Sequence, residues 1–202
     1  MHTDLLNKSD KYLKIESRSV PSMISGELTI NELLQMLSQD YANGKFVPIL
    51  EADVAGYLYH LWISKFGDAR KVHLDTRICI APNQKFDFVI GEVEYGAERP
   101  CIRKPEIVIE VKSFSSGFTS SQRRIRYSKV KEHDIPKLAE LKEPLDNRYI
   151  LLFDEANYLK KLDTKSRMSK LKTIIQVRNE RDPKIKIIYV EKVDKHLEWK
   201  LL

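Results

Sequence analysis

Only two of the 202 residues are cysteine, Cys79 and Cys101, and only seven are glycine. Two cysteines make neither a disulfide framework nor a zinc ribbon. So few glycines exclude a collagen-like or glycine-rich low-complexity chain, and no repeat recurs at solenoid periods. No run approaches the ~18 apolar residues that a spanning helix needs, so no membrane partner is expected. Residues 1–20 are polar and mixed in charge, unlike a secretory signal, which makes cytoplasmic residence the default expectation. The nucleotide-cradling patterns GxGxxG and GxxxxGK are absent. His60, His73, His133 and His196 are scattered, with neither HExxH nor Cys/His ligand spacing. Ser115, Ser116, Ser120 and Ser121 lie in no nucleophile-elbow context, which argues against a serine hydrolase.

What is present suits one folded domain: 42% hydrophobic residues, 32% charged, and a mean hydropathy of −0.41. The net charge of +6 is unevenly spread. Residues 1–102 carry 11 basic and 14 acidic side chains, whereas residues 103–202 carry 24 and 15. A basic half on a mildly acidic one fits a polyanionic partner, without naming it.

Periodicity gives the order of elements. Residues 1–26 read as an N-terminal arm, and 27–202 as a single domain. The pattern predicts helices over Glu27–Asn43 and Pro48–Phe66, with Gly44 and Gly67 as stops. Val72–Ala81 and Lys85–Val93 form a predicted hairpin, and Glu94–Lys104, with Gly96, Pro100 and several charges, reads as a loop. Glu106–Phe114 is the most strand-like stretch, followed by a predicted helix from Ser120 to Leu141. Strands at Arg148–Phe153, Lys184–Glu191 and His196–Leu202 enclose a helix over Thr164–Asn179. The sum is an α/β fold, a central mixed β-sheet flanked by helices.

The chemistry sits where strand alternation meets charge. In the strand IVIEVKSF, Ile107, Ile109 and Val111 face one way and Val108, Glu110 and Lys112 the other. Charges on so apolar a strand are costly unless compensated. In the hairpin, Phe86, Phe88 and Ile90 are expected on one face and Asp87 with Val89 on the other. Pairing the charged faces places Asp87 beside Glu110 and Lys112. Two such carboxylates raise each other's pKa unless a cation joins them, and a hard divalent ion with oxygen ligands suits that set.

Asp87, twenty-two intervening residues, then Glu110-Val111-Lys112 resembles the PD-(D/E)xK signature of the restriction-endonuclease-like nucleases. That family's core, a helix, a three-strand meander, a crossover helix and another strand, matches the predicted order from about Pro48 to Phe153. Phe86 stands where the signature has proline. The resemblance implies a restriction-endonuclease-like core and metal-dependent hydrolysis of phosphodiester bonds in DNA. It also implies Asp87, Glu110 and the carbonyl of Val111 as ligands of Mg²⁺, with Mn²⁺ as a substitute. Lys112 would orient the attacking water.

Many members carry a further acid on the preceding helix. Glu51 fits, with Asp53 as the other candidate, although a first-turn acid also simply complements the helix dipole. Gln122, Arg123, Arg124, Arg126, Lys129 and Lys131 make a cationic stretch suited to DNA phosphates. A second basic group runs through Lys160, Lys161, Lys165, Arg167, Lys170 and Lys172. Gln122 and Tyr127 are five apart, which does not match the Gln-x-x-x-Tyr element of the exonuclease branch, so an endonuclease is expected. Cutting both strands would need a homodimer or a partner subunit. The rival expectation is a non-catalytic nucleic-acid-binding module on the same fold.

Overall fold

The computed structural model describes residues 26–94, 100–141, 145–160, 166–180 and 185–202. The predicted arm therefore lies outside the described residues, except for Gly26. Two helices lead, α1 (Gly26–Ala42) and α2 (Glu51–Phe66). Strands β1 (Val72–Ile78), β2 (Ala81–Glu94) and β3 (Cys101–Ser113) follow. Next come α3 (Ser120–Lys129), a π-helical turn over Val130–Asp134, and α4 (Ile135–Ala139). Strand β4 (Arg148–Asp154), helix α5 (Arg167–Asn179), and strands β5 (Ile185–Val193) and β6 (His196–Leu201) complete the order. No helix among the described residues is long and apolar enough to cross a membrane.

The six strands form one mixed sheet in chain order, antiparallel from β1 to β3, parallel from β3 to β5, and antiparallel again at β6. Strand β4 is buried along its whole length, as expected of a parallel strand covered on both faces. One apolar cluster joins α1 and α2 to Phe88, Ile90, Ile107, Ile109, Val111 and Leu151. The other joins α3, α4 and α5 to Phe86, Val89, Val108, Ile150, Leu152 and Ile187. The architecture is thus helix, sheet, helix, as the sequence pattern predicts.

Two local readings need correction, and one covalent link was not foreseen. Phe86 and Phe88 do not share a face: they pack in opposite clusters. Both sides of the sheet are covered, so an apolar residue is at home on either, and alternation alone could not detect the irregularity at Asp87. Residues 101–104, read as loop, are strand, with Val93 opposite Ile102 and Glu92 opposite Lys104. Gly91 permits that close pairing, since a Cβ there would lie 2.5 Å from the Lys104 carbonyl oxygen. Cys79 and Cys101, too few for a disulfide framework, are nevertheless joined in a single disulfide tying the end of β1 to the start of β3.

Candidate functional site

The site begins where the sheet forks. The β2–β3 ladder runs only as far as Phe88 opposite Ile109, while the residues of β2 before Asp87 continue pairing with β1. In β3 the amides of Val108 and Phe114 point to β4, so the amide of Val111, at odd spacing from both, points to the side that β2 has left. The Asp87 carboxylate fills that gap, accepting from Val111 N at 2.8 Å. It thereby replaces a lost ladder bond and is fixed beside Glu110.

Glu110 and Lys112 project to the α3–α4 side, and both are buried, at 2% and 7% exposure. Lys112 Nζ lies 3.3 Å from Asp134, 3.5 Å from Glu51 and 3.3 Å from the Val111 carbonyl oxygen. Burial works against its charge, but Asp134, Glu51, Asp87 and Glu110 together outweigh that and hold the amine above its ordinary pKa. Glu51 also meets Arg126 Nε at 3.4 Å. Its pKa is nonetheless raised, chiefly by burial, against the opposing pull of Lys112 and Arg126. Asp53 does something else. It is exposed, and its Oδ2 accepts from the amides of Ile49 (2.9 Å) and Leu50 (2.7 Å), capping α2.

Glu110 is the most perturbed carboxylate of the group. Burial, reinforced by the neighbouring Asp87, pushes its pKa up to about 8, despite Lys137 Nζ at 2.5 Å. Lys137 also stands over the Phe86 ring, 4.7 Å from its centroid. The geometry thus unites Glu51, Asp87, Glu110, Lys112 and Arg126, all singled out from sequence. It adds two residues that sequence reasoning missed, Asp134 and Lys137.

Asp134 had a signal, because Tyr127, Val130, Asp134, Leu138 and Leu141 recur at helical spacing and all are buried. An acid on an apolar stripe is the same anomaly that marks Glu110. The π-helical turn ends at Asp134, and its pKa is raised mainly by burial, with Lys112 and Lys137 opposing. Lys137 carries no comparable signal, since a single lysine on a charged helix looks like any solvated one.

The cationic stretch divides by task. Gln122 is half of a capping box, its Oε1 accepting from Thr119 N at 2.8 Å and its own amide donating to Thr119 Oγ1 at 3.2 Å. Arg123 braces the preceding loop, donating to the carbonyls of Ser115 (3.1 Å) and Ser116 (2.9 Å). Glu155 holds the same loop through Ser115 Oγ, Ser116 N and Ser116 Oγ. Arg126 stacks on Phe118 at 4.1 Å while reaching Glu51, and Lys131 sits 5.1 Å over Tyr127. Arg124 and Lys129 are exposed. In the second basic group, residues 161–165 lie outside the described residues. Lys160 pairs with Glu191, and Arg167 stacks on Tyr158 at 4.1 Å.

The donors offered to a cation are hard oxygens: the carboxylates of Asp87, Glu110 and Glu51 and the carbonyl of Val111. By chemistry that set suits Mg²⁺ or Mn²⁺ and not a soft metal, but the three carboxylates do not all lie within 4.8 Å of one another and would have to close on an ion. The Cys79–Glu94–Cys101 grouping is different, because its sulfurs are tied in the disulfide.

No protein-family model matches the chain, and no curated protein matches it. Among solved structures, it is similar to Pyrococcus furiosus SfsA in complex with Ca²⁺, at 13% identity and a TM-score of 0.32. The similarity covers 73% of this chain and 62% of that one, so the chain spans less than two thirds of that protein's length.

Proposed function

We propose that the chain is a divalent-metal-dependent endonuclease that hydrolyses phosphodiester bonds in DNA. One observation carries this reading: Asp87, Glu110 and Glu51, drawn from β2, β3 and α2, are gathered at a fork in the sheet with two lysines and an arginine. The raised pKa of Glu110 supports it, because a buried carboxylate beside another is short of positive charge. When bound, Mg²⁺ would supply a nucleophile at neutral pH and offset charge on the phosphate.

In this reading Asp87, Glu110, Glu51 and the Val111 carbonyl would hold the ion. Asp87 is pre-positioned by its bond from Val111 N and needs no reorganisation. Lys112, locked between Glu51 and Asp134 with its amine beside the Val111 carbonyl, keeps Glu51 in place and orients the attacking water. Lys137 is less buried than Lys112 and faces Glu110, so it is placed to donate to a phosphate oxygen once that carboxylate has another partner. Arg126 contributes fixed positive charge at the same edge. Water attacks phosphorus, the bond to the leaving oxygen breaks, and that oxygen departs with a proton.

The test is plasmid cleavage with Mg²⁺ or Mn²⁺, repeated with Asp87→Ala and Lys112→Ala. Nicking by the wild type alone is expected. No cleavage with either metal, or equal cleavage by both variants, overturns the assignment.

A second reading, a non-catalytic nucleic-acid-binding module, draws on the internal pairing of the cluster. Four carboxylates face three cations, so much of the charge is balanced without an ion. Calorimetry separates the two. Salt-sensitive DNA binding with no Mn²⁺ heat favours the binding module.

A further inference from the structure

The segment entering α2 presents an apolar rim beside the acidic cluster. Val47, Ile49 and Leu50 are 71%, 62% and 48% exposed, consecutive or nearly so, and end directly at Glu51. The rim is held rigidly. Phe46 is buried and stacked on Tyr57 at a centroid distance of 4.2 Å, and Pro48 is buried. Inward residues therefore alternate with the outward Val47 and Ile49. Asp53 Oδ2 fixes the amides of Ile49 and Leu50. What distinguishes these side chains from singly exposed ones is that they adjoin one another in a segment fixed at both ends.

We propose that this rim packs against base faces of a DNA strand that is unpaired next to the scissile phosphate. The proposal rests on the nuclease reading, and adds the kind of DNA recognised. Val47 lies four residues from Glu51, so the rim begins no more than about 15 Å from it along the chain. A strand advances ~3.4 Å per stacked nucleotide, so only a few nucleotides separate the rim from a phosphate at the cluster. A strand of DNA offers anionic groups and apolar faces at that spacing. Arg126 meets Glu51 at the end of the rim, and the exposed Lys129 follows it by one turn on the neighbouring helix, so positive charge for phosphates lies at that end. Three side chains fall far short of the ~800 Å² per partner of a stable protein interface, which disfavours a protein occupant. Bases stacked in an intact duplex hide these faces, so an unpaired strand is the fitting substrate.

The experiment measures affinity, without added metal, for a 20-nucleotide single strand and for the same strand carrying abasic positions throughout its centre, over a range of salt. Full-length wild type is compared with Val47→Ser/Ile49→Ser/Leu50→Ser and with the milder Ile49→Ser, each checked by thermal melting. The triple variant is expected to bind the normal strand at least tenfold more weakly, at an unchanged salt slope, and to bind the abasic strand as the wild type does. Ile49→Ser is expected to fall between. Equal loss on both strands, or no loss on either, overturns the proposal. A concentration-dependent wild-type dimer lost in the variant, with DNA affinity unchanged, assigns the rim to a second copy and also overturns it. Cleavage of the same single strand with Mn²⁺, on the same samples, separates the two failures. A wild type that cuts but ignores base removal refutes the rim alone; one that neither binds nor cuts refutes the nuclease reading.

Discussion

Glu110 gives the most quantitative prediction. Its carboxyl has an ordinary pKa near 4.5 and is pushed to about 8 in the fold, first by burial and then by Asp87. The folded protein therefore holds a proton that the unfolded chain releases. The corresponding stability is complete below pH ~4.5 and is lost as pH rises toward ~8. At about 1.4 kcal/mol per pH unit the full span is on the order of 5 kcal/mol, and roughly 4 kcal/mol of it falls between pH 5 and 8. Glu110→Gln keeps the shape and has no proton to lose. In urea denaturation with EDTA, the variant should gain on the wild type steadily from pH 5 to 8. Glu51, Asp134 and Lys112 titrate in both proteins, so the difference between the two curves isolates Glu110 to first order. Added Mg²⁺ at pH 8 should return stability to the wild type and much less to the variant. A difference that is flat with pH, or that favours the wild type increasingly as pH rises, refutes the reasoning.

Four further outcomes follow from other contacts. Lys112→Met leaves Glu51 and Asp134 without their shared cation, so it should destabilise by about 3–5 kcal/mol in urea, and Lys112→Met/Asp134→Asn should recover part of that; a loss below ~1 kcal/mol would place Lys112 in water. Reducing the Cys79–Cys101 bridge, or Cys79→Ser, opens a closure spanning 22 residues and should cost about 3 kcal/mol by loop entropy, read as a lower urea midpoint that dithiothreitol does not shift further in the variant. Arg124→Ala/Lys129→Ala should reduce the slope of log affinity against log salt by about 1.4 on a single strand, at ~0.7 per phosphate contact. Arg123→Ala should instead lower stability through the Ser115–Ser116 loop and leave the slope unchanged.

Much of this arrangement was legible in the sequence because burial and charge conflict openly there. Glu110 and Lys112 interrupt an apolar strand, and the structure buries both. The long elements were readable for the usual physical reason, since amphipathic periodicity over many residues averages out local exceptions. What escaped depended on exceptions. The fork at Asp87 leaves no trace in alternation, because β2 has apolar cover on both faces. The strand at residues 101–104 is disguised by Gly96 and Pro100 before it and by charges paired across the sheet, Glu92 with Lys104 and Glu94 with Arg103. Gln122 and Arg123 looked like DNA contacts, yet a capping box and a loop brace absorb them, and only geometry distinguishes a spent cation from an available one. The pairing of Lys137 with Glu110 joins α4 to β3 across twenty-six intervening residues, beyond the reach of any local pattern.

The proposed activity requires a hard divalent cation at the fork between β2 and β3. Its most direct test is the anomalous diffraction of a crystal soaked in Mn²⁺. A peak is expected within coordination distance of the Asp87 and Glu110 carboxylates and the Val111 carbonyl, abolished in Asp87→Ala. A soaked crystal with Lys137 still seated on Glu110 and no peak at the fork would contradict it.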